Sequence, residues 1–283
     1  MKTIRLRSWR RFEETLNQLK HDFGIYRQDL EDGKTFQREV GTLFRGQADH
    51  SWNLKTTLER RTIIEHDVKT YLDIAVRMVS ELESYTDKQW NIPPWPALEN
   101  EIKERSEAFS VHLPAYDYLV YLRHHGYPSP LLDWTASPHI ALYFAYLHAE
   151  KADVAVYCYI ERPNLIKGGV GGEPMITLKG PYVSTHRRHF AQKAWYTLAT
   201  HWDYSKETHI FCPHERVFDK GDISQDALIK IVLPQKDRLQ VLRHLDNYNI
   251  NHFTLFQSED ALIKALESRH FDKIDAFQEK RTK

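Results

Sequence analysis

One stretch constrains this chain more than any other: Leu131-Leu132-Asp133-Trp134-Thr135-Ala136-Ser137-Pro138, followed by Ile140-Ala141-Leu142-Tyr143-Phe144-Ala145-Tyr146-Leu147. Ser137 suits a helix N-cap and Pro138 a first helical turn. The helix they open is apolar on all sides, and such a helix must be buried. Burying it requires other layers, and the rest of the chain supplies candidates. Leu131–Trp134, Asp153–Ile160 (alternating around Val154, Val156 and Cys158), Ala227–Val232 and Phe253–Phe256 read as strands. Val40–Phe44 reads as a further short strand that turns at Arg45-Gly46. Helical spacing is predicted over Trp9–Phe23, Thr62–Tyr85, Ala97–Ser110, Ala115–His125, Lys236–Leu245 and from Glu259 to Leu266. Gly168-Gly169 and Gly171-Gly172 mark a flexible loop. Strands and helices alternate irregularly, so the expected class is α+β: one domain with a small mixed or antiparallel sheet flanked by helices. Residues 1–38 read as an N-terminal helical extension, 39–270 as the main domain and 271–283 as a charged tail that frays.

Composition narrows the functional classes. Lys plus Arg total 39 and Asp plus Glu 39, so bulk charge favours neither nucleic acid nor an anionic membrane. The 16 histidines make the chain basic as pH falls toward about 6. No apolar run approaches the ~18 residues of a membrane span. Cys158 and Cys212 lie far apart without a CxxC pattern, which excludes a disulfide framework and a thiolate zinc site. A reducing cytoplasm is the simplest expectation. Met1–Phe12 is basic but has no apolar segment behind it, so it does not read as a secretory signal. No P-loop, GxGxxG, GxSxG or HExxH occurs.

Three places carry candidate chemistry. Arg45, before Gly46 and Gln47, presents a planar fork suited to phosphate or carboxylate; an ordinary ion pair uses the same fork. The corner from His124 to Pro138 alternates Asp133, Thr135 and Ser137 with apolar neighbours and runs into a helix start, where free N–H groups favour an anion. A packed corner with Trp134 in the core fits the same pattern. His186-Arg187-Arg188-His189-Phe190-Ala191-Gln192-Lys193-Ala194-Trp195 is basic with interleaved aromatics, as nucleic-acid surfaces are, yet a solvated edge looks the same. His186 and His189 form no recognised metal signature, and no metal is expected.

Together these motifs resemble the FRG domain, named for its Phe-Arg-Gly signature. Phe44-Arg45-Gly46-Gln47 matches its opening. His125-Gly126, Leu131–Thr135 and Ser137-Pro138 with Ala141–Ala145 match its central block. Arg188 and Gln192 match its Arg/Gln block, and Thr254-Leu255-Phe256 its closing strand. Ala194 and Tyr196 stand where the family often has Gly and Phe, and Gln257-Ser258 where Pro-Asp is usual. Members occur in bacteria and phages, often beside defence or toxin-like genes. The order Arg, Thr/Ser, Gln is similar to that of the ADP-ribosyltransferase superfamily. The resemblance therefore implies a transferase-like fold and NAD as substrate. Arg45 would clamp phosphate or ribose, Thr135 and Ser137 would brace the nicotinamide pocket, and Gln192 would be the third member. Gly46, Gln47, His125, Asp133 and Trp134 would complete the nucleotide-binding set with Arg45. Cleaving nicotinamide from ribose passes through an oxocarbenium-like state, which an amide serves poorly, so Glu215 or Asp133 is the candidate carboxylate. The implied protein is a cytoplasmic bacterial or phage effector in defence or toxicity, with a macromolecular target. Trp9–Phe23 offers a contact for a homodimer or other partner. Two alternatives stand beside this: a non-catalytic module sensing a nucleotide or protein through Arg45 and the Asp133 corner, and a nuclease toxin using the His-rich surface.

Overall fold

Period-two alternation in the long apolar strands sets the layering. The computed structural model describes residues 1–23, 25–29, 35–39, 41–61, 66–163, 172–181, 183, 187–219 and 226–281. Its strands are β1 (Lys2–Arg5), β2 (Ile25–Asp29), β3 (Thr35–Glu39), β4 (Thr42–Gln47), β5 (Leu132–Thr135), β6 (Val154–Glu161), β7 (Met175–Lys179), β8 (Ala194–Asp203), β9 (Thr208–Phe211) and β10 (Asp226–Leu233). The helices are α1 (Phe12–Phe23), α2 (Thr57–Arg61), α3 (Val68–Val76), α4 (Val79–Thr86), α5 (Trp95–Arg105), α6 (Tyr116–His124), α7 (Pro138–Leu147), α8 (Arg187–Ala191), α9 (Arg238–Asn247), α10 (His252–Phe256) and α11 (Glu259–Arg281).

Eight strands form one sheet in the order β1-β10-β6-β4-β5-β8-β7, with β9 on β8; β2 and β3 pair separately. β1 runs parallel to β10, and the other pairings in this sheet are antiparallel. The class is as expected, a single mixed domain with helices on its sheet, although the sheet is not small. Residues 1–38 contribute β1 to it as well as α1.

On β6, Val154, Val156, Cys158 and Ile160 face a core shared with α1, α7 and α9, while Ala155, Tyr157 and Tyr159 face the opposite side. The far half of the first face is covered by α3, α5 and α6, whose Leu72, Ile102 and Leu119 share a core with Tyr196 of β8. The opposite face is closed by Leu54 and by Phe218 of the 3-10 turn His214–Phe218. Among the described residues no helix is long and apolar enough to cross a membrane.

The apolar helix is α7, with Ile140, Ala141, Leu142, Tyr143, Ala145 and Tyr146 buried. Ser137 caps it, its Oγ accepting from the Ile140 N–H at 3.4 Å, and Pro138 opens its first turn. It lies directly on Gly46 of β4. A Cβ there would fall 2.0 Å from the Ala141 carbonyl oxygen and 2.4 Å from the Ala145 nitrogen. Glycine in a strand interior marks such a backbone approach.

Four local expectations change. Arg45-Gly46 is not a turn: β4 runs on to Gln47, held by six paired positions with β6. Thr62–Tyr85 is not one helix. Residues 62–65 lie outside the described set, and the remainder divides at Arg77-Met78 into α3 and α4. Asp67 caps the first of these, accepting from Thr70 N–H. Phe253–Phe256 is helical rather than a strand. Asn251 and Thr254 form a reciprocal capping box, and Gln257 at φ 51° ends the turn, so capping overrides the apolar run. Residues 271–281, read as a tail, continue α11. Gly168, Gly169 and Gly171 lie outside the described residues.

Gly46→Ala should destabilise the fold by about 3 kcal/mol or prevent it, because two backbones must separate to admit the methyl. Gly41→Ala, where nothing lies within 4 Å, should be near neutral in the same urea titration. Equal effects would refute the account.

Candidate functional site

The helices on the first face form two groups, and the seam between them runs over β4 and β5. These strands meet at a single pair, Phe44 opposite Thr135. One position further along, the Arg45 side chain supplies what the backbone ladder leaves unmade. Its Nη1 donates to the Asp133 carbonyl oxygen at 2.8 Å and lies 3.9 Å from the Asp133 carboxylate. Arg45 Nε is buried without a hydrogen-bond partner among the described residues. Burial lowers the Arg45 guanidinium to about 10, opposed by the Asp133 charge, so it stays cationic at neutral pH.

Arg123, in the last turn of α6, grips the same carboxylate. Its Nε donates to Asp133 Oδ1 at 3.1 Å and its Nη2 to Oδ2, while Nη1 donates to Thr57 Oγ1 at 2.9 Å. The arginine side chains are 14% and 12% exposed and that of Asp133 is 40% exposed. Burial pushes the Asp133 carboxyl up. The charge and hydrogen bonds of Arg123, then the Arg45 charge, outweigh it and hold the group below the usual carboxylate range.

Asp133 pairs across to Tyr196 on β8, which joins a second polar chain. His189 Nε2 lies 3.0 Å from the Pro181 carbonyl, which can only accept, so that nitrogen carries the hydrogen. Burial holds His189 below the ordinary imidazole range, leaving it neutral with Nδ1 as an acceptor. The Tyr196 hydroxyl, 3.2 Å away, must then donate to His189 and accept from His124 Nε2 at 2.9 Å.

The other expected residues separate. The Thr135 hydroxyl donates to the Gln192 carbonyl at 2.7 Å and accepts from Ser137 N–H at 3.1 Å, so Thr135, Ser137 and the Gln192 backbone do meet. The Gln192 amide turns away and donates to the Leu255 carbonyl at 3.1 Å, as Arg188 Nε does to Phe256. Both hold the C-terminal end of α10. Gly46 faces α7. Trp134 is buried on the opposite face of the sheet, its Nε1 donating to Thr197 Oγ1 at 2.7 Å. Gln47 is buried, with Nε2 donating to the Asn53 carbonyl at 3.3 Å and Oε1 unpartnered. Glu215 accepts from Leu54 N–H at 3.2 Å, and its charge, like that of Arg45, acts on the Tyr157 phenol. His125 is exposed at the end of α6, its ring 4.3 Å from that of Tyr121.

Sequence reasoning missed Arg123. A cation in a helix's last turn is routine, so nothing in the chain marks it. Only the fold brings it to a carboxylate ten positions later.

With this geometry in place, the comparisons give the class. Residues 41–154 match the family model described as the FRG domain, and an FRG domain is therefore present. That span contains Arg45, Gly46, Arg123, Asp133 and α7. No curated protein and no solved structure matches the chain.

Arg123→Ala should cost about 2 kcal/mol in a urea titration, less than a fully buried pair because Asp133 is partly exposed. Asp133 contributes stability above its unfolded pKa of about 3.9 and loses it as pH falls through its lower folded value. Asp133→Asn should therefore lower stability at neutral pH and flatten the acid limb below about pH 4. An unchanged limb would show that the carboxylate is not held this way.

Proposed function

We propose that the FRG domain of this chain recognises the phosphate groups of a nucleotide at the Arg45–Asp133–Arg123 cluster. One observation carries the reading: among the described residues Arg45 spends a single N–H on the protein, and its Nε has no partner, beside a carboxylate that is 40% exposed. Two guanidiniums against one carboxylate leave a positive charge where β4 and β5 part. An incoming phosphate would supply acceptors that the protein does not, and charge-assisted bonds of this kind are the strong ones.

Thr135, Ser137 and Gln192, the remaining members of the transferase-like pattern, are spent on holding the corner and α10 together. This favours recognition over bond cleavage. NAD cleavage is the second reading, supported by Glu215, whose charge reaches the same phenol as Arg45. An effector or defence role on a macromolecular target belongs with that second reading.

Isothermal titration with ADP, ADP-ribose, NAD and adenosine, alongside an assay of nicotinamide release, separates the two. The phosphate-bearing compounds should bind and adenosine should not, and Arg45→Ala should weaken binding by about tenfold or more, equivalent to ~1.4 kcal/mol. Nicotinamide release by the wild-type chain, abolished in Glu215→Gln, would replace recognition with cleavage. Phosphate-dependent binding untouched by Arg45→Ala would remove the cluster from either reading.

A further inference from the structure

Period two along β4 puts Leu43, Arg45 and Gln47 on the sheet face where Tyr157 and Tyr159 of β6 lie, and Arg45 pairs in register with Tyr157. Register partners on adjacent antiparallel strands stand roughly 4.5–5.5 Å apart at Cα. The residues that follow β4 fold back over this face and are fixed by the same side chains. The Tyr157 hydroxyl donates to the Trp52 carbonyl at 3.2 Å, and Gln47 Nε2 donates to the Asn53 carbonyl at 3.3 Å. Glu215 accepts from Leu54 N–H at 3.2 Å, and the Leu54 side chain, 1% exposed, fills the core beneath. Behind them, Trp52 N–H donates to the Asp49 carbonyl at 3.3 Å and His50 N–H to the Asp153 carbonyl at 2.8 Å. Three successive residues, 52 to 54, are thus tied through their backbone by Tyr157, Gln47 and Glu215. Two of these flank Arg45 on the sheet.

The side chain this mounting carries is left to solvent. Trp52 is 53% exposed, and among the described residues its indole makes no hydrogen bond and no ring contact. A lone exposed aromatic is ordinary. One whose backbone is ordered by buried side chains, next to the cluster assigned above to phosphate, is not. A ring on an ordered backbone loses little freedom on contact, and indole offers a broad apolar face to a flat partner.

We infer that Trp52 stacks on the base of the nucleotide whose phosphates engage Arg45, so that the preferred ligand class is a nucleoside diphosphate. The inference rests on the phosphate reading above and adds the second point of attachment. The route between the two points is short: Arg45 to its register partner Tyr157, and from the Tyr157 hydroxyl to the Trp52 carbonyl. Stacking of one base is worth less than the freedom lost on association, so the ring discriminates among phosphate compounds without capturing a free nucleoside.

The test is calorimetric titration of the full chain with ADP and with inorganic pyrophosphate, in wild type, Trp52→Ala, Trp52→Phe and Arg45→Ala. Trp52→Ala should weaken ADP by about tenfold, the order expected for one lost stack, and Trp52→Phe should restore most of it. Pyrophosphate has no base, so Trp52→Ala should leave its binding unchanged, whereas loss of a merely structural residue would weaken both. Trp52 is bonded through its backbone, so both variants should fold, and circular dichroism checks this. ADP binding indifferent to Trp52→Ala, or ADP and pyrophosphate weakened together, would overturn the inference and leave the phosphate reading standing. ADP binding that Arg45→Ala leaves intact would overturn the phosphate reading and with it the pairing of Trp52 to Arg45. Binding of neither compound would overturn both.

Discussion

The contact between Gly46 and the backbone of α7 is the constraint on which the rest is built. A helix apolar all round can be covered only by close layers, and here a strand passes within a missing methyl group of the helix backbone. That approach seats α7 on β4 and β6. It also places Ser137 and Thr135 at the helix start, against the turn carrying Gln192. The Phe-Arg-Gly signature thus combines two mechanical demands: glycine admits the helix, and the arginine beside it closes the opening where β4 leaves β5.

Polar chemistry collects at the seam between the two groups of helices for a related reason. Where strands part, carbonyls lose their ladder partners, and buried carbonyls must find donors elsewhere. Arg45 answers one of them, and its charge then calls for Asp133, which Arg123 also grips from α6. The Arg188 and Gln192 pair does the same for the carbonyls ending α10. Among the described residues the Arg45 side chain donates one hydrogen bond, to the Asp133 carbonyl, and its Nε has no partner.

Much of this was legible beforehand. The capped helix Pro138–Leu147, the β6 and β10 strands and the helices around Phe12–Phe23 and Tyr116–His124 follow from local periodicity and cap residues, which act over a few positions. The Arg45 and Asp133 neighbourhood was legible as a candidate because arginine and aspartate are unusual amid apolar strands. Harder were α10, where a capping box outweighs a β-prone run, and the division between α3 and α4. Arg123 gave no signal, since its partner is set by packing. Trp134 and Asp133 are adjacent in sequence yet face opposite sides of the sheet, so only one of them reaches the seam.

Local pattern alone determined the class of the chain, the burial of α7, the caps and the candidate arginine, because these depend on neighbours within one turn or one strand. Tertiary structure decided which carbonyl Arg45 serves, which carboxylate Arg123 holds and which charges, Lys264 of α11 and Arg188 of α8, act on His252. Those depend on sheet order and on the angle at which helices cross it, and charges brought together across many residues leave no trace in spacing along the chain.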